Sequence, residues 1–264
     1  MHREQEPRVG PFDPARADRV HLYRSVFDSR NPTRRHLHHE RNARLTGLLN
    51  RYAAGKRCLE VGIGGNLYRE TLRIVPRFCV RLDIDAEFVR FSSFEDKQSP
   101  PPHPFFMQGD LLRLPFADGS FDLVFCSEVF EHLPPGRSLD AFGEIRRVLA
   151  PSGKLILSTP QSHSSVELIM RLATSRLFRA IACRIYPEAI IDNEHINLLT
   201  RRQLLAEAAQ SGFQPVESGR CGLYIPLLAE FGGEWGRRIS SSLEPIFDRS
   251  PAGFLLWTQY HVLS

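Results

Sequence analysis

The chain has few cysteines, and nothing in their spacing pairs them: five in all, an odd number, with no Cys-x-x-Cys. That argues against a disulfide framework and against a zinc cluster built on paired thiols. Cys58, Cys79 and Cys126 fall in strand-like runs, where a free cysteine behaves as a small buried hydrophobe. The sequence also lacks any run approaching ~18 consecutive apolar residues, so no membrane span is expected. Its start, Met1-His2-Arg3-Glu4-Gln5-Glu6-Pro7, has none of the apolar core of a secretory signal. A cytoplasmic location is the expectation. No internal repeat is visible.

What is present is ordinary globular composition, with 42% hydrophobic and 24% charged residues in 264. A chain of this size can bury roughly 75% of its unfolded surface, so one α/β domain with insertions is expected. Net charge is only +4 but uneven, since residues 1–57 carry 13 Lys/Arg against 6 Asp/Glu. Residues 1–55 read as a basic arm and helix, and 56–264 as the main domain. Such an arm suits an acidic substrate, nucleic acid or a membrane surface, or is simply a solvated arginine-rich helix.

Residues 1–20 are polar and rich in Pro and Arg, and are expected to be poorly ordered. From Thr33 to Tyr52, Leu37, Leu45, Leu48 and Leu49 form a helical stripe that Gly55 ends. Strands are expected at Arg57–Val61, Phe78–Ile84, Phe105–Gln108, Phe121–Ser127 and Lys154–Thr159. Helices at Leu67–Val75, Ala86–Phe94 and the stripe from Leu139 to Leu149 separate them, with a turn at Pro151–Gly153. Thr200-Arg201-Arg202-Gln203 is a capping box opening a helix closed by Gly212. Phe213–Ser218 and Phe254–Leu263 complete about seven strands. Alternation on short loops implies a Rossmann-like doubly wound sheet, mostly parallel, with helices on both faces.

Glu60-Val61-Gly62-Ile63-Gly64 makes a strand, a glycine turn and a helix start, an arrangement that lets backbone approach a ligand. Alone it is often just a turn. Asp83 lies 21 positions after Gly62, close to the ~20 expected of a carboxylate that holds ribose hydroxyls. Both dinucleotide oxidoreductases and methyltransferases use that carboxylate. Gly109-Asp110-Leu111 then sets a third acid at a strand tip, where it can accept from an adenine amino group.

Leu114-Pro115-Phe116-Ala117-Asp118-Gly119-Ser120-Phe121-Asp122, with Ser127-Glu128-Val129-Phe130-Glu131-His132-Leu133 behind it, resembles class I S-adenosylmethionine-dependent methyltransferases. The likeness is to the small-molecule branch that includes ubiquinone and menaquinone biosynthesis methyltransferases. It continues through Arg146–Lys154, Ser158–Pro160 and Glu194–Thr200 to Gly212-Phe213. The resemblance implies S-adenosylmethionine as cofactor, with the strand that closes the C-terminus antiparallel. By position it assigns Glu60, Gly62 and Gly64 to the methionine and ribose ends, and Asp83 to the ribose hydroxyls. Ile84 is assigned to the adenine face, Asp110 to the adenine amino group with Leu111 beside it, and Ser127 to the methionine portion. Asn66 stands where the family pattern has a third glycine.

Methyl transfer from a sulfonium is an in-line displacement, helped mainly by alignment. A hydroxyl acceptor also needs a base, and histidine suits that role. His132 and His195 are the catalytic candidates; each is otherwise a structural or solvated histidine. Glu128, Glu131 and His163 are weaker candidates. His36, His38, His39 and Glu40 offer at most a minimal helical pair, so no metal site is expected.

Residues 163–193 form a helical insertion read as a lid, with a membrane contact, dimer interface or plain core as alternatives. The expected function is methyl transfer, most readily to oxygen, on a small hydrophobic, lipid-like or sugar-like acceptor. An RNA methyltransferase and a non-catalytic S-adenosylmethionine-binding partner stay open. No RNA-binding module accompanies the basic arm, so nucleic acid is not the expected partner. Oligomeric state is not legible in the sequence.

Overall fold

The computed structural model describes residues 18–64, 76–98, 104–174 and 195–264. Asn66, the expected helix Leu67–Val75, Glu194 and residues 175–193 of the insertion lie outside the described residues.

Helix α1 (Asp18–Ser25) and a 3-10 turn (Val26–Asp28) lead into α2 (Pro32–Tyr52). Helix α2 starts where Asn31 accepts from the amides of Thr33 and Arg34, with Pro32 at its first position. Strand β1 (Arg57–Val61) follows, then β2 (Phe78–Asp83), α3 (Ala86–Lys97), β3 (Phe105–Gln108) and β4 (Phe121–Ser127). After a 3-10 turn (Phe130–His132) come α4 (Ser138–Val148), β5 (Leu149–Pro160) and α5 (Ser165–Thr174). The chain ends with α6 (Arg201–Gln210), β6 (Pro215–Leu223), α7 (Pro226–Phe231), α8 (Gly233–Arg249), a 3-10 turn (Pro251–Leu255) and β7 (Leu256–Leu263).

The seven strands lie in the order β3-β2-β1-β4-β5-β7-β6. Strands β1 to β5 pair in parallel, and β7 runs antiparallel between β5 and β6. The strand order therefore reverses between β1 and β4. The carboxyl ends beside that switch form the crevice where open α/β sheets bind ligands.

Period-2 alternation sends side chains to opposite faces. Leu59, Val61, Val124, Cys126, Leu155 and Leu157 pack with Phe142 and Ile145 of α4 and with Leu204 and Ala208 of α6. Their neighbours Cys58, Leu123, Phe125 and Ile156 meet Leu45, Leu48 and Leu49 of α2. The arginine-rich N-terminal helix is thus one of the sheet's covers. Burial pushes the Cys58 and Cys79 thiols up to about 12, as inert structural cysteines should be.

The capping box forms as expected, with Thr200 and Gln203 bonding reciprocally. Three differences stand out. Strand β5 begins at Leu149, which pairs with Phe121, so the expected turn at Pro151–Gly153 is an irregularity inside the strand. Strand β6 runs on to Leu223, held by β7. Helix α1 begins at Asp18, within the stretch expected to lack order, because Val20 finds a partner in Phe91 of α3. No helix among the described residues is long and apolar enough to cross a membrane.

Candidate active site

A cavity of about 530 Å³ opens at the carboxyl ends of β1 to β4. Gly62, Gly64, Asp83, Ile84, Asp110, Leu111, Ser127, His132 and His195 all line it. Glu60 does not. Register explains why: Glu60 pairs with Arg81 on the adjacent parallel strand, and the guanidinium bonds both its carboxylate oxygens. A buried arginine needs that partner, so Glu60 serves the sheet rather than the cavity.

At the glycine end, Gly62 has φ 82° and Gly64 φ 52°, conformations costly for residues with a Cβ. A Cβ on Gly62 would also lie 2.3 Å from Val129 Cγ2. Asp83 pins the turn: its Oδ2 accepts from the amides of Ile63 (2.8 Å) and Gly64 (3.4 Å), and its Oδ1 from Asp85 (2.9 Å). Burial pushes the Asp83 carboxyl up, and these three amides oppose the rise. Each carboxylate oxygen can accept more than one bond, so lone pairs remain for ligand hydroxyls.

Asp110 Oδ1 accepts from Leu112 N at 2.9 Å, and its second oxygen has acceptor capacity for an amino group. Ile84 is 68% exposed at the cavity edge, a large apolar side chain that suits a flat ring. Helix α1 closes this end. Tyr23 stands over Gly64, Arg19 bonds Asp85, and Arg24 makes a two-pronged ion pair with Glu95 at 2.8 and 2.9 Å.

The other end is built from side chains. After β4, Glu128 takes φ 55°, uncommon for a residue other than glycine. It is fixed there by Arg41 of α2 (2.7 Å) and by the Ser158 hydroxyl (2.8 Å). The Arg41 guanidinium lies 4.9 Å from the Trp257 ring centre, and His38 meets the same ring edge-on at 4.8 Å. Desolvation, with the charges of Arg41 and His39, holds the His38 pKa well below its ordinary value. His38, Arg41 and Trp257 all border the cavity.

Residues 195–197 are stitched to the end of β4. The carbonyl of Glu131 accepts from the amides of Ile196 and Asn197 (2.9 and 3.0 Å), and Asn197 Nδ2 donates to Phe130 O and Ser138 Oγ. This sets the rings of His132 and His195 5.4 Å apart, centre to centre. Buried Glu167 of α5 lies 3.0 Å from His195 Nδ1. Glu131 is fully buried; Thr159 Oγ1 donates to its Oε2 at 2.9 Å, while Oε1 has no partner among the described residues.

Burial, reinforced by the Glu128 charge, raises the Glu131 carboxyl well above the usual range. For His195, burial disfavours the charged form. The bond to Glu167 and the nearby carboxylate charges outweigh that and push it up to about 9. Ligating atoms of Glu131, His132 and His195 lie within 4.8 Å of one another, so among the described residues these three could hold a cation. Chain spacing gave no hint of that set. His163, by contrast, is exposed, pairs with Ser162 and is not in the cavity lining.

Sequence reasoning found the strand-tip residues but missed Glu167, Arg41, Trp257 and the cavity role of His38. Only the histidine cluster His36 to His39 had drawn notice, as a metal pair. Nothing local marks the others, since their role arises from packing.

A family model described as "Methyltransferase domain" matches residues 59–157. Ubiquinone biosynthesis O-methyltransferase of Psychrobacter cryohalolentis is 30% identical over 178 residues, covering 58% of this chain and 68% of that one. Its Xanthomonas oryzae counterpart is 28% identical over 160 residues, 60% of this chain and 66% of that one. Sterol 24-C-methyltransferase of Gibberella zeae is 36% identical over 102 residues, 38% of this chain but only 26% of its own. The chain thus matches about a quarter of the sterol enzyme and just under two thirds of the Xanthomonas enzyme.

Among solved structures, a methyltransferase in complex with a Haloferax volcanii methyltransferase activator shares the fold, with TM-score 0.62 at 18% identity. It covers 95% of this chain and 96% of its own. An S-adenosylmethionine-dependent methyltransferase from Mesorhizobium loti gives 0.55 at 15% identity, covering 84% and 95%. The ordered strand-tip residues already define a nucleotide-binding doubly wound sheet. With these likenesses, the chain belongs to the class I S-adenosylmethionine-dependent methyltransferases.

Proposed function

We propose that the protein methylates a hydroxyl oxygen of a small, apolar acceptor. The observation that carries the reading is the Glu131–His132–His195 cluster, backed by Glu167, in the same cavity as the glycine turn. The glycine end fits the cofactor: a cradle that a Cβ would fill, a buried Asp83 with spare lone pairs, Asp110 and the exposed Ile84. Bound there, S-adenosylmethionine supplies a methyl group already activated by its sulfonium. Asp83 would hold the ribose hydroxyls, Ile84 and Leu111 the adenine faces, Asp110 the amino group, and Ser127 the methionine end.

The chain's own chemistry concerns the acceptor. His195, charged at neutral pH, keeps Nδ1 on Glu167 and offers Nε2–H to the acceptor oxygen. A cation there lowers the pKa of the hydroxyl. His132 is open to the cavity, and one of its ring nitrogens takes the proton. His38 and Trp257 give the apolar wall, while the bond between Arg41 and Glu128 keeps that arginine's charge satisfied.

The RNA reading rested on the basic N-terminal segment. Arg19, Arg24, Arg34, Arg41, Arg51 and Arg57 are all paired with carboxylates elsewhere in the molecule, which supports a small-molecule acceptor. Of the insertion 163–193 read as a lid, residues 175–193 lie outside the described residues. In α5, Val166 and Ile169 pack against Leu37, Tyr224, Ala229 and Trp257 as a fixed wall.

A methyl-transfer screen across quinone, phenolic, lipid and sugar acceptors tests the proposal. Turnover on a hydroxyl acceptor, lost in His132→Ala, supports it. Turnover only on bulk RNA, or S-adenosylhomocysteine binding with no turnover on any acceptor, contradicts it. A second reading places a divalent cation on Glu131, His132 and His195, favoured by the unpartnered Glu131 oxygen and by Glu167 behind His195. Activity lost to a chelator and restored by added cation would select that reading.

A further inference from the structure

Helix α8 is amphipathic in the wrong sense for a helix that only covers a core. Its inward face is Gly236, Ser240 and Glu244. The Glu244 carboxylate accepts from the amides of Gly222 and Leu223 at 3.0 and 3.3 Å. At Gly236 a Cβ would meet Leu228 O at 2.0 Å, so the helix rests on α7 through bare backbone. Three of its apolar side chains point outward: Trp235 is 75% exposed, Ile246 63% and Ile239 41%. Helix α7 adds Leu227 and Phe231, each 76% exposed. Within α8, residues 235, 239 and 246 share one face, and on α7 Leu227 and Phe231 are four apart on another. Scattered exposed hydrophobics need no explanation, but five large ones on two helices packed together mark an interaction surface.

Charge indicates what covers it. By helical position, exposed Arg238 and Arg249 flank the face of Trp235, Ile239 and Ile246. The acid on that face, Glu234, is already engaged by Arg237 and Arg238, and Asp248 is bonded to Arg220. Two copies pairing through this face would set arginines against arginines with no carboxylate left to receive them. An apolar stripe with tryptophan, flanked by arginines, is the pattern of a helix lying in a membrane interface.

We propose that α7 and α8 dock the protein on an anionic lipid bilayer surface, with Trp235, Phe231 and Leu227 inserted at headgroup level and Arg238 and Arg249 on the phosphates. Ala229 on the inner side of α7 packs with Leu37, Tyr224 and Trp257, and Trp257 borders the acceptor end of the cavity. The docked helices would thus stand one packed layer from the site. The surface stands whether or not the methyl-transfer reading holds, since nothing in it involves the catalytic groups.

Flotation of the full chain with phosphatidylcholine vesicles, with and without phosphatidylglycerol, tests this. Trp257 is only 8% exposed, so a blue shift of tryptophan emission on adding vesicles reports Trp235. The protein is expected to float with anionic vesicles, less as salt is raised, and to shift blue. Arg238→Ala with Arg249→Ala should lower the partition about 30-fold, at roughly 1 kcal/mol per arginine. Phe231→Ser with Trp235→Ser should abolish flotation while S-adenosylhomocysteine affinity is kept. Wild-type protein that neither floats nor shifts overturns the proposal, whatever the variants do. So does equal flotation of the wild type and the serine variant. A concentration-dependent dimer dispersed by Trp235→Ser, without vesicle affinity, would assign the face to a second copy instead.

Discussion

At one end of the cavity, Gly62, Asp83 and Asp110 stand on successive strand tips, each fixed by backbone amides within a few residues or on the next strand. At the other end, His38 and Arg41 come from α2, Glu131 and His132 from beyond β4, His195, with Glu167 of α5 behind it, from the segment before α6, and Trp257 from β7. The first end is a property of a strand and its turn, and recurs wherever that turn recurs. The second is a property of packing, and it is where the proposed function places the acceptor and its proton transfer. The cofactor end should therefore govern binding, and the acceptor end turnover.

The largest effect should come from the acceptor end. His132→Ala removes the proposed base and should lower kcat by about 10²–10⁴ with the affinity for S-adenosylhomocysteine unchanged; steady-state kinetics with calorimetry check both. Equal losses in the two would break the division. Next, Gly62→Val drives a side chain into Val129 and should cost about 3 kcal/mol, or on the order of 100-fold in cofactor affinity. Unchanged affinity by calorimetry would remove the turn from the site.

Glu167→Gln sharpens the comparison through pH. The folded pKa of His195, about 9, stands above its ordinary 6.5. The stability due to its charged form is therefore complete below about pH 6.5 and is lost as pH rises through about 9. The variant should be less stable by about 1.5–3 kcal/mol near neutrality, a gap that closes above pH 9. Its activity should also fall at lower pH than that of the wild type, because the proton on His195 is held less tightly. Melting temperatures and pH–rate profiles read the two effects, and coincident alkaline limbs would remove His195 from the mechanism. Ile84→Ala should have the smallest effect, about 1 kcal/mol of cofactor affinity.

The same contrast accounts for what the sequence disclosed. Strands β1 to β4 carry their own period and turns, so their limits and the carboxylates at their tips could be read from neighbouring residues. The capping box at Thr200 was equally local. Glu60 misled because family position said nothing of Arg81, which only the β1–β2 register places beside it. Helices α7 and α8 turn their large apolar residues Leu227, Phe231, Trp235 and Ile246 outward, so no core-facing apolar stripe marks them in the sequence. Glu167 and Trp257 read as an ordinary helix acid and an ordinary strand aromatic until the fold sets Glu167 behind His195 and Trp257 at the cavity.

Calorimetric titration of wild type and Asp110→Ala with S-adenosylhomocysteine and with NAD tests the central claim most directly. The account predicts S-adenosylhomocysteine binding to the wild type, weakened about ten-fold by loss of one hydrogen bond in Asp110→Ala, and no response to NAD. Tight binding of NAD without response to S-adenosylhomocysteine, or an Asp110→Ala variant that binds as the wild type does, would contradict it.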